Sequence, residues 1–196
     1  THVCYTKYSK HERGYMKLAV IVGTRRQGRV TPRVAKWVQK TISEVYPDAE
    51  VKVLDLAEFN IPLLDEAPWV PDRVLNDDSK RWLDELAWAD GYVVATAEYY
   101  HSIPAVLKNA LEYTAGQMKR KPVLIVSHGS VSGARAAEHL RLVLGRMIAA
   151  VSIPHDLTFV GNVSDCITED GELTEAGQSN DQRLRGALDE LAWYTQ

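Results

Sequence analysis

Cysteine is scarce in this chain. The two present, Cys4 and Cys166, lie far apart and form no CxxC pair, which argues against a zinc ribbon or a dithiol redox motif. No apolar run is long enough to span a bilayer, and the first fifteen residues lack the apolar core of a secretory signal. A basic excess is missing too. The net charge of −3 argues against a nucleic-acid surface, and it falls short of the acidity of a dedicated electron-shuttle protein. The expected setting is the cytoplasm, with neither a nucleic acid nor a membrane as partner.

Several catalytic fingerprints are also absent. There is no GxxxxGK[ST] phosphate loop and no GxGxxG dinucleotide turn. The stretch His128–Gly133 comes near the GxSxG nucleophile elbow but carries Val131 where the motif needs its serine, so a Ser-His-Asp hydrolase is poorly supported. No Tyr-x-x-x-Lys pair occurs, which removes a short-chain dehydrogenase. His101, His128, His139 and His155 share no metal-ligand spacing; they read as surface or helix-cap residues, and no metal is expected.

What is present reads as one α/β domain. The chain has 196 residues, 45% hydrophobic and 25% charged, ordinary values for a globular domain with a substantial core. Residues 1–15 are polar and aperiodic, and Met16-Lys17-Leu18 looks like a chain start. Residues 1–15 are therefore expected to be an extension or arm, and 16–196 a single domain. Short β-branched runs at Lys17–Val22, Val51–Leu56, Gly91–Thr96 and Pro122–Ser127 read as strands, and a fifth is expected within Val151–Val160 around Pro154. Apolar residues at helical spacing predict helices over Pro32–Tyr46, Lys80–Ala89, the segment after Pro104, Ala134–Ala149 and Asn180–Trp193. Ser79 and Ser102 are candidate caps for the second and third of these.

Alternating strands and helices predict a parallel sheet covered on both faces. The favoured arrangement is a flavodoxin-like three-layer α/β/α sandwich, with five strands in the order 2-1-3-4-5. Its switch point brings the loops at Gly23, Ala97 and His128 around one crevice. Gly23–Thr31 joins a strand to a helix amino end, and its Arg25, Arg26 and Arg29 suit a monophosphate. The loop Ala97–Pro104, with Glu98, Tyr99, Tyr100 and His101, offers flat rings and polar edges to a planar ligand. The glycines of His128–Gly133 let backbone approach a ligand closely.

Three motifs together carry a resemblance. Gly23-Thr24-Arg25-Arg26 follows the first strand. Ala97-Glu98-Tyr99-Tyr100-His101-Ser102-Ile103-Pro104, continuing through Leu107-Lys108-Asn109-Ala110, follows the third. Gly129–Gly133 with Arg135-Ala136 follows the fourth. In these the chain resembles the NADPH-dependent FMN reductase family of flavodoxin-like proteins, over roughly residues 17–150. Two positions depart from the family pattern: Ala97 stands where proline is usual, and Tyr100 where asparagine is usual.

The resemblance implies FMN as cofactor, with NADPH or NADH as hydride donor and a flavin, quinone or similar small molecule as electron acceptor. Thr24, Arg26, Arg29 and Thr31 would hold the phosphate. Glu98, Tyr99, Tyr100 and His101 would line the isoalloxazine, with Ser127, Gly129 and Gly133 on its other flank. No catalytic side chain is assigned, because the flavin carries the chemistry. A homodimer or homotetramer is implied, pairing through the third and fourth helices, where Leu140, Leu144, Met147 and Ile148 read as surplus apolar surface. A flavodoxin-like electron carrier and a catalytically silent interaction domain are the alternatives.

Overall fold

The computed structural model describes residues 15–145 and 148–196. The expected N-terminal extension, Tyr15 apart, lies outside the described residues, as does Met147. Six strands form one parallel sheet: β1 (Lys17–Val22), β2 (Glu50–Asp55), β3 (Gly91–Ala97), β4 (Pro122–His128), β5 (Val151–Ser152) and β6 (Leu157–Thr158). The order is β2-β1-β3-β4-β5, with β6 also on β4. This is the expected flavodoxin-like order.

The helices are α1 (Thr31–Val45), α2 (Asp77–Trp88), α3 (Ala105–Glu112), α4 (Ala134–Leu144), α5 (Val163–Cys166) and α6 (Asp181–Tyr194). Along β1, Leu18, Val20 and Val22 join the core under α1 and α6, while Ala19 and Ile21 join the core under α2, α3 and α4. That alternation is the two-residue period of a strand covered on both faces. Trp37 meets Phe159 edge-on in the first core, and Phe59 meets Trp82 edge-on in the second.

The expected fifth strand is broken in two. Val151 lies opposite Pro122 and Leu157 opposite Val126, so two residues are looped out between them. Pro154 has no N–H to give a ladder, which explains a break at this point. Arg141 of α4 ties the loop down: Nε donates to Asp156 Oδ2 at 2.7 Å, and Nη2 to the carbonyls of Ile153 and Pro154 at 3.0 and 3.1 Å.

Other expectations also change. α4 ends at Leu144 rather than Ala149, and the Ala149 N–H closes a turn onto the Gly145 carbonyl at 2.7 Å. The cap of α2 is Asn76, whose side chain accepts from the Ser79 N–H; Ser79 itself lies buried inside the helix. Ser102 does not cap α3, because its hydroxyl is bonded to His139 Nδ1 at 2.5 Å. Leu140, Leu144 and Ile148 are core residues, so they supply no surplus apolar surface.

Candidate functional site

The carboxyl ends of β1, β3 and β4 meet at an open cleft of about 810 Å³. The turn after β1 contributes Arg26, Gly28, Arg29 and Val30. The loop after β3 contributes Ala97, Glu98, Tyr99 and Tyr100, and the loop after β4 contributes His128, Gly129, Ser130 and Ser132. A fourth wall, Gly161–Ser164, comes from the turn after β6.

The β1 turn leads into α1. Val30 provides no side-chain cap, and no acidic residue lies in the first helical turn. The helix end therefore keeps its positive field and leaves backbone N–H groups for an incoming acceptor. Gly28 sits in this turn at φ +70°, a conformation that suits glycine. The arginines divide their work. Arg29 spends its fork on Asp55, with Nη1–Oδ1 at 2.5 Å and Nη2–Oδ2 at 2.7 Å, and also donates to the Thr24 carbonyl. Arg26 is exposed and forms no ion pair among the described residues; its guanidinium lies 4.3 Å from the Tyr99 ring centroid.

The hydroxyls of this region stand behind the cleft wall. Thr24, Thr31 and Ser127 are fully buried. Thr31 Oγ1 lies 2.8 Å from His128 Nε2, tying the start of α1 to the end of β4. Burial pushes the His128 imidazole down to about 4, so the ring is neutral near pH 7. Sequence reading placed this histidine at the surface; the structure buries it. Ser127 Oγ is bonded to the Ser132 carbonyl. Thr24 Oγ1 has no hydrogen-bond partner among the described residues.

After β3 the chain makes a two-residue hairpin. Tyr99 and Ser102 exchange backbone hydrogen bonds of 2.9 and 3.0 Å, and the tip residues Tyr100 and His101 have φ of +49° and +64°. Left-handed backbone is costly for a tyrosine and easier for asparagine, the usual residue of the family pattern. Tyr100 is fully exposed at the cleft edge. His101 is exposed too and does not line the cleft. The Glu98 carboxylate turns towards α4, accepting from the Arg135 N–H at 3.1 Å and from Arg135 Nη1 at 2.6 Å. It thereby serves the helix start that Gly133 cannot cap. Gly133, at φ +73°, has room for no side chain, since a Cβ would fall 2.5 Å from the His128 nitrogen. Gly133 thus shapes the loop from behind, whereas Gly129 faces the cleft.

The sequence profile of the NADPH-dependent FMN reductase family matches residues 16–165. The chain belongs to this family. It is 29% identical over 188 residues to an NAD(P)H-dependent FMN reductase of Schizosaccharomyces pombe, covering 85% of this chain and 93% of that one. It is 32% identical over 194 residues to an NAD(P)H-dependent FMN reductase of a Nectria species, covering 89% and 94%. Among solved structures it is similar to FerB, a flavoenzyme NAD(P)H:(acceptor) oxidoreductase of Paracoccus denitrificans. There the TM-score is 0.72 at 20% identity, over 92% of this chain and 97% of that one.

This FMN reductase family member is an oxidoreductase that uses FMN and NAD(P)H. Its cleft fits a phosphate-bearing cofactor. The α1 end lacks an acid and a cap, and among the described residues neither Arg26 finds a carboxylate partner nor a buried hydroxyl of the same turn, Thr24 Oγ1, a hydrogen-bond partner. The fourth wall was missed from sequence. Its signal was Asn162, which caps α5 by accepting from the Ser164 N–H at 3.0 Å, immediately after the edge strand.

Proposed function

We propose that FMN binds with its phosphate at the β1–α1 turn and its ring between the loops after β3 and β4, and that NAD(P)H reduces it there for delivery to a small acceptor such as a flavin or quinone. The observation that carries this reading is the amino end of α1, uncapped and free of acids, facing the cleft beside Arg26. Backbone N–H groups of Gly28 and Val30 and the Arg26 guanidinium would hold the phosphate, the Arg29 N–H being donated to the Arg26 carbonyl at 3.3 Å. Arg29, neutralised by Asp55, would brace the turn, with Thr24 and Thr31 shaping it from within. Tyr99 and Gly129 would border the ring, and Glu98 would fix the loop against α4. When bound, FMN supplies the capacity to take a hydride from the nicotinamide and pass its two electrons on. The protein orients the partners and excludes wasteful contacts; none of its side chains is asked to transfer a proton.

Arg26→Ala should remove a charge-assisted contact worth about 1.5–3 kcal/mol. FMN affinity should fall accordingly while riboflavin affinity stays near the wild-type value. Fluorescence titration of both ligands checks this, and an equal loss for both would place the phosphate elsewhere.

The reading extends to a cytoplasmic homodimer or homotetramer. Support for association now rests on residues left exposed: Leu142 on α4 at 79% and Tyr100 at 100%. Light scattering at micromolar concentration should give at least twice the monomer mass of 22.0 kDa; a monomer alone would refute it. Fractionation of the source cells, with the protein in a membrane or secreted fraction, would refute the location.

A further inference from the structure

His128 touches all three loops that the sheet brings to the cofactor cleft. In the sheet, β3 lies between β1 and β4, so the strands that carry the phosphate turn and the glycine-bearing loop do not pair with each other. His128, the last residue of β4, spans that gap. Its Nε2 lies 2.8 Å from Thr31 Oγ1, at the first residue of α1. Its carbonyl accepts the Glu98 N–H at 2.8 Å, at the start of the loop after β3. Its own backbone nitrogen packs against Gly133 of the loop after β4, so closely that a Cβ there would fall 2.5 Å away. The imidazole is buried and neutral near pH 7, so the contact with Thr31 buries no charge.

The use of such a tie lies in what the start of α1 has to do. A side-chain cap would anchor this helix but would occupy one of the backbone N–H groups that a phosphate needs. Val30 supplies no cap, and Pro32 has no N–H to give. The Thr31 hydroxyl anchors the helix end on His128 and uses none of the N–H groups. An anchored end matters because FMN carries its phosphate and its ring on one short chain. The two sets of contacts reinforce each other only where the protein already holds both subsites at the right separation.

We propose that His128 is a positioning residue which, through Thr31, holds the phosphate turn at a fixed separation from the two ring loops and so makes the site selective for FMN over riboflavin. The inference rests on the cofactor reading above, which gives His128 no part. His128 touches no reacting atom in this account. It acts on the cofactor through the start of α1, and its effect falls on the phosphate end of the ligand rather than on the ring.

The test is fluorescence titration of FMN and of riboflavin with wild type, Thr31→Val, His128→Phe, the double variant and Thr31→Ser. Thr31→Val and His128→Phe each remove one side of the contact. Either should weaken FMN about tenfold, the scale of one buried hydrogen bond, and riboflavin by about twofold at most. The double variant should bind FMN no more weakly than the single ones, because both remove the same contact. Thr31→Ser keeps the hydroxyl and should bind FMN as wild type does. A merely structural role would lower both ligands together, and that result overturns the proposal. Losses that add in the double variant overturn it as well. Should the variants fail to fold, NMR of wild type with isotope-labelled histidine decides. FMN should shift the His128 Nε2 resonance, and riboflavin should leave it close to its position in the empty protein; equal shifts overturn the proposal. Wild type that binds FMN no more tightly than riboflavin overturns the phosphate placement and this inference with it. An FMN preference that survives intact in Thr31→Val and His128→Phe overturns the inference alone.

Discussion

His128 shows how a single buried group writes itself into the behaviour of the protein. Its imidazole is pushed from an ordinary 6.5 down to about 4 by burial against Thr31. The unfolded chain therefore binds a proton at a pH where the folded chain does not. Stability from this group is complete above pH 6.5 and is lost as pH falls towards 4, by an amount on the order of 3 kcal/mol at full titration. Asp156 acts in the opposite sense. Burial raises its carboxyl, so the folded state holds that proton more tightly and gains as pH falls. Urea unfolding of wild type and His128→Asn between pH 4 and 7 separates the two. The variant should lose the part of the slope that destabilises wild type on acidification; an unchanged slope would mean that His128 titrates freely.

The same residue marks the limit of what the chain discloses by itself. The loops Gly23–Thr31, Ala97–Pro104 and His128–Gly133 were legible as one crevice, because strand order alone places their ends together. Glu98, Tyr99, Tyr100, Arg26, Arg29 and Gly129 do line it. Whether a hydroxyl or an imidazole in such a loop faces the ligand or the core depends on how α1 packs over β4. Thr31 and His128 are separated by nearly half the chain, and their 2.8 Å contact has no local pattern. Thr24 and Ser127 turned inward for the same reason, while His101 stayed out at a hairpin tip.

At the scale of elements, the regular parts were readable and the edge was not. β3 and β4 are buried along their whole length, and such uninterrupted apolar runs announce themselves. The helices α1, α2 and α6 carry one apolar face each, so their existence was clear and only their ends moved. The outer strand has two residues on either side of the Pro154 loop, too few for a period to show. Its geometry depends on Arg141, which holds Asp156 and two carbonyls at once. The Asp156 side chain is 13% exposed and its other oxygen, Oδ1, has no partner among the described residues, so losing Arg141 would strand a buried carboxylate. Arg141→Ala should cost about 2 kcal/mol. Arg185→Ala, which breaks more exposed pairs to Glu44 and Asp181, should cost about 0.5 kcal/mol. Chemical denaturation midpoints of the two variants check the ranking; equal losses would show that the bulge needs no clamp.

At the scale of the molecule, a parallel sheet ends in a cleft whose one side is electropositive and whose other side is glycine-bearing and aromatic. That division matches what a phosphate-tailed flavin requires, and it leaves the protein to bind and orient rather than to supply an acid or base. The account stands or falls on electrons moving through FMN held in this cleft. The most direct test is anaerobic stopped-flow mixing of the FMN-loaded protein with excess NADPH, and separately NADH, while the absorbance of oxidised flavin is followed. The account predicts that the oxidised band is lost in a saturable reaction with at least one nicotinamide, and that riboflavin in place of FMN supports it only weakly. Protein that takes up FMN yet keeps the oxidised spectrum with both donors would contradict it.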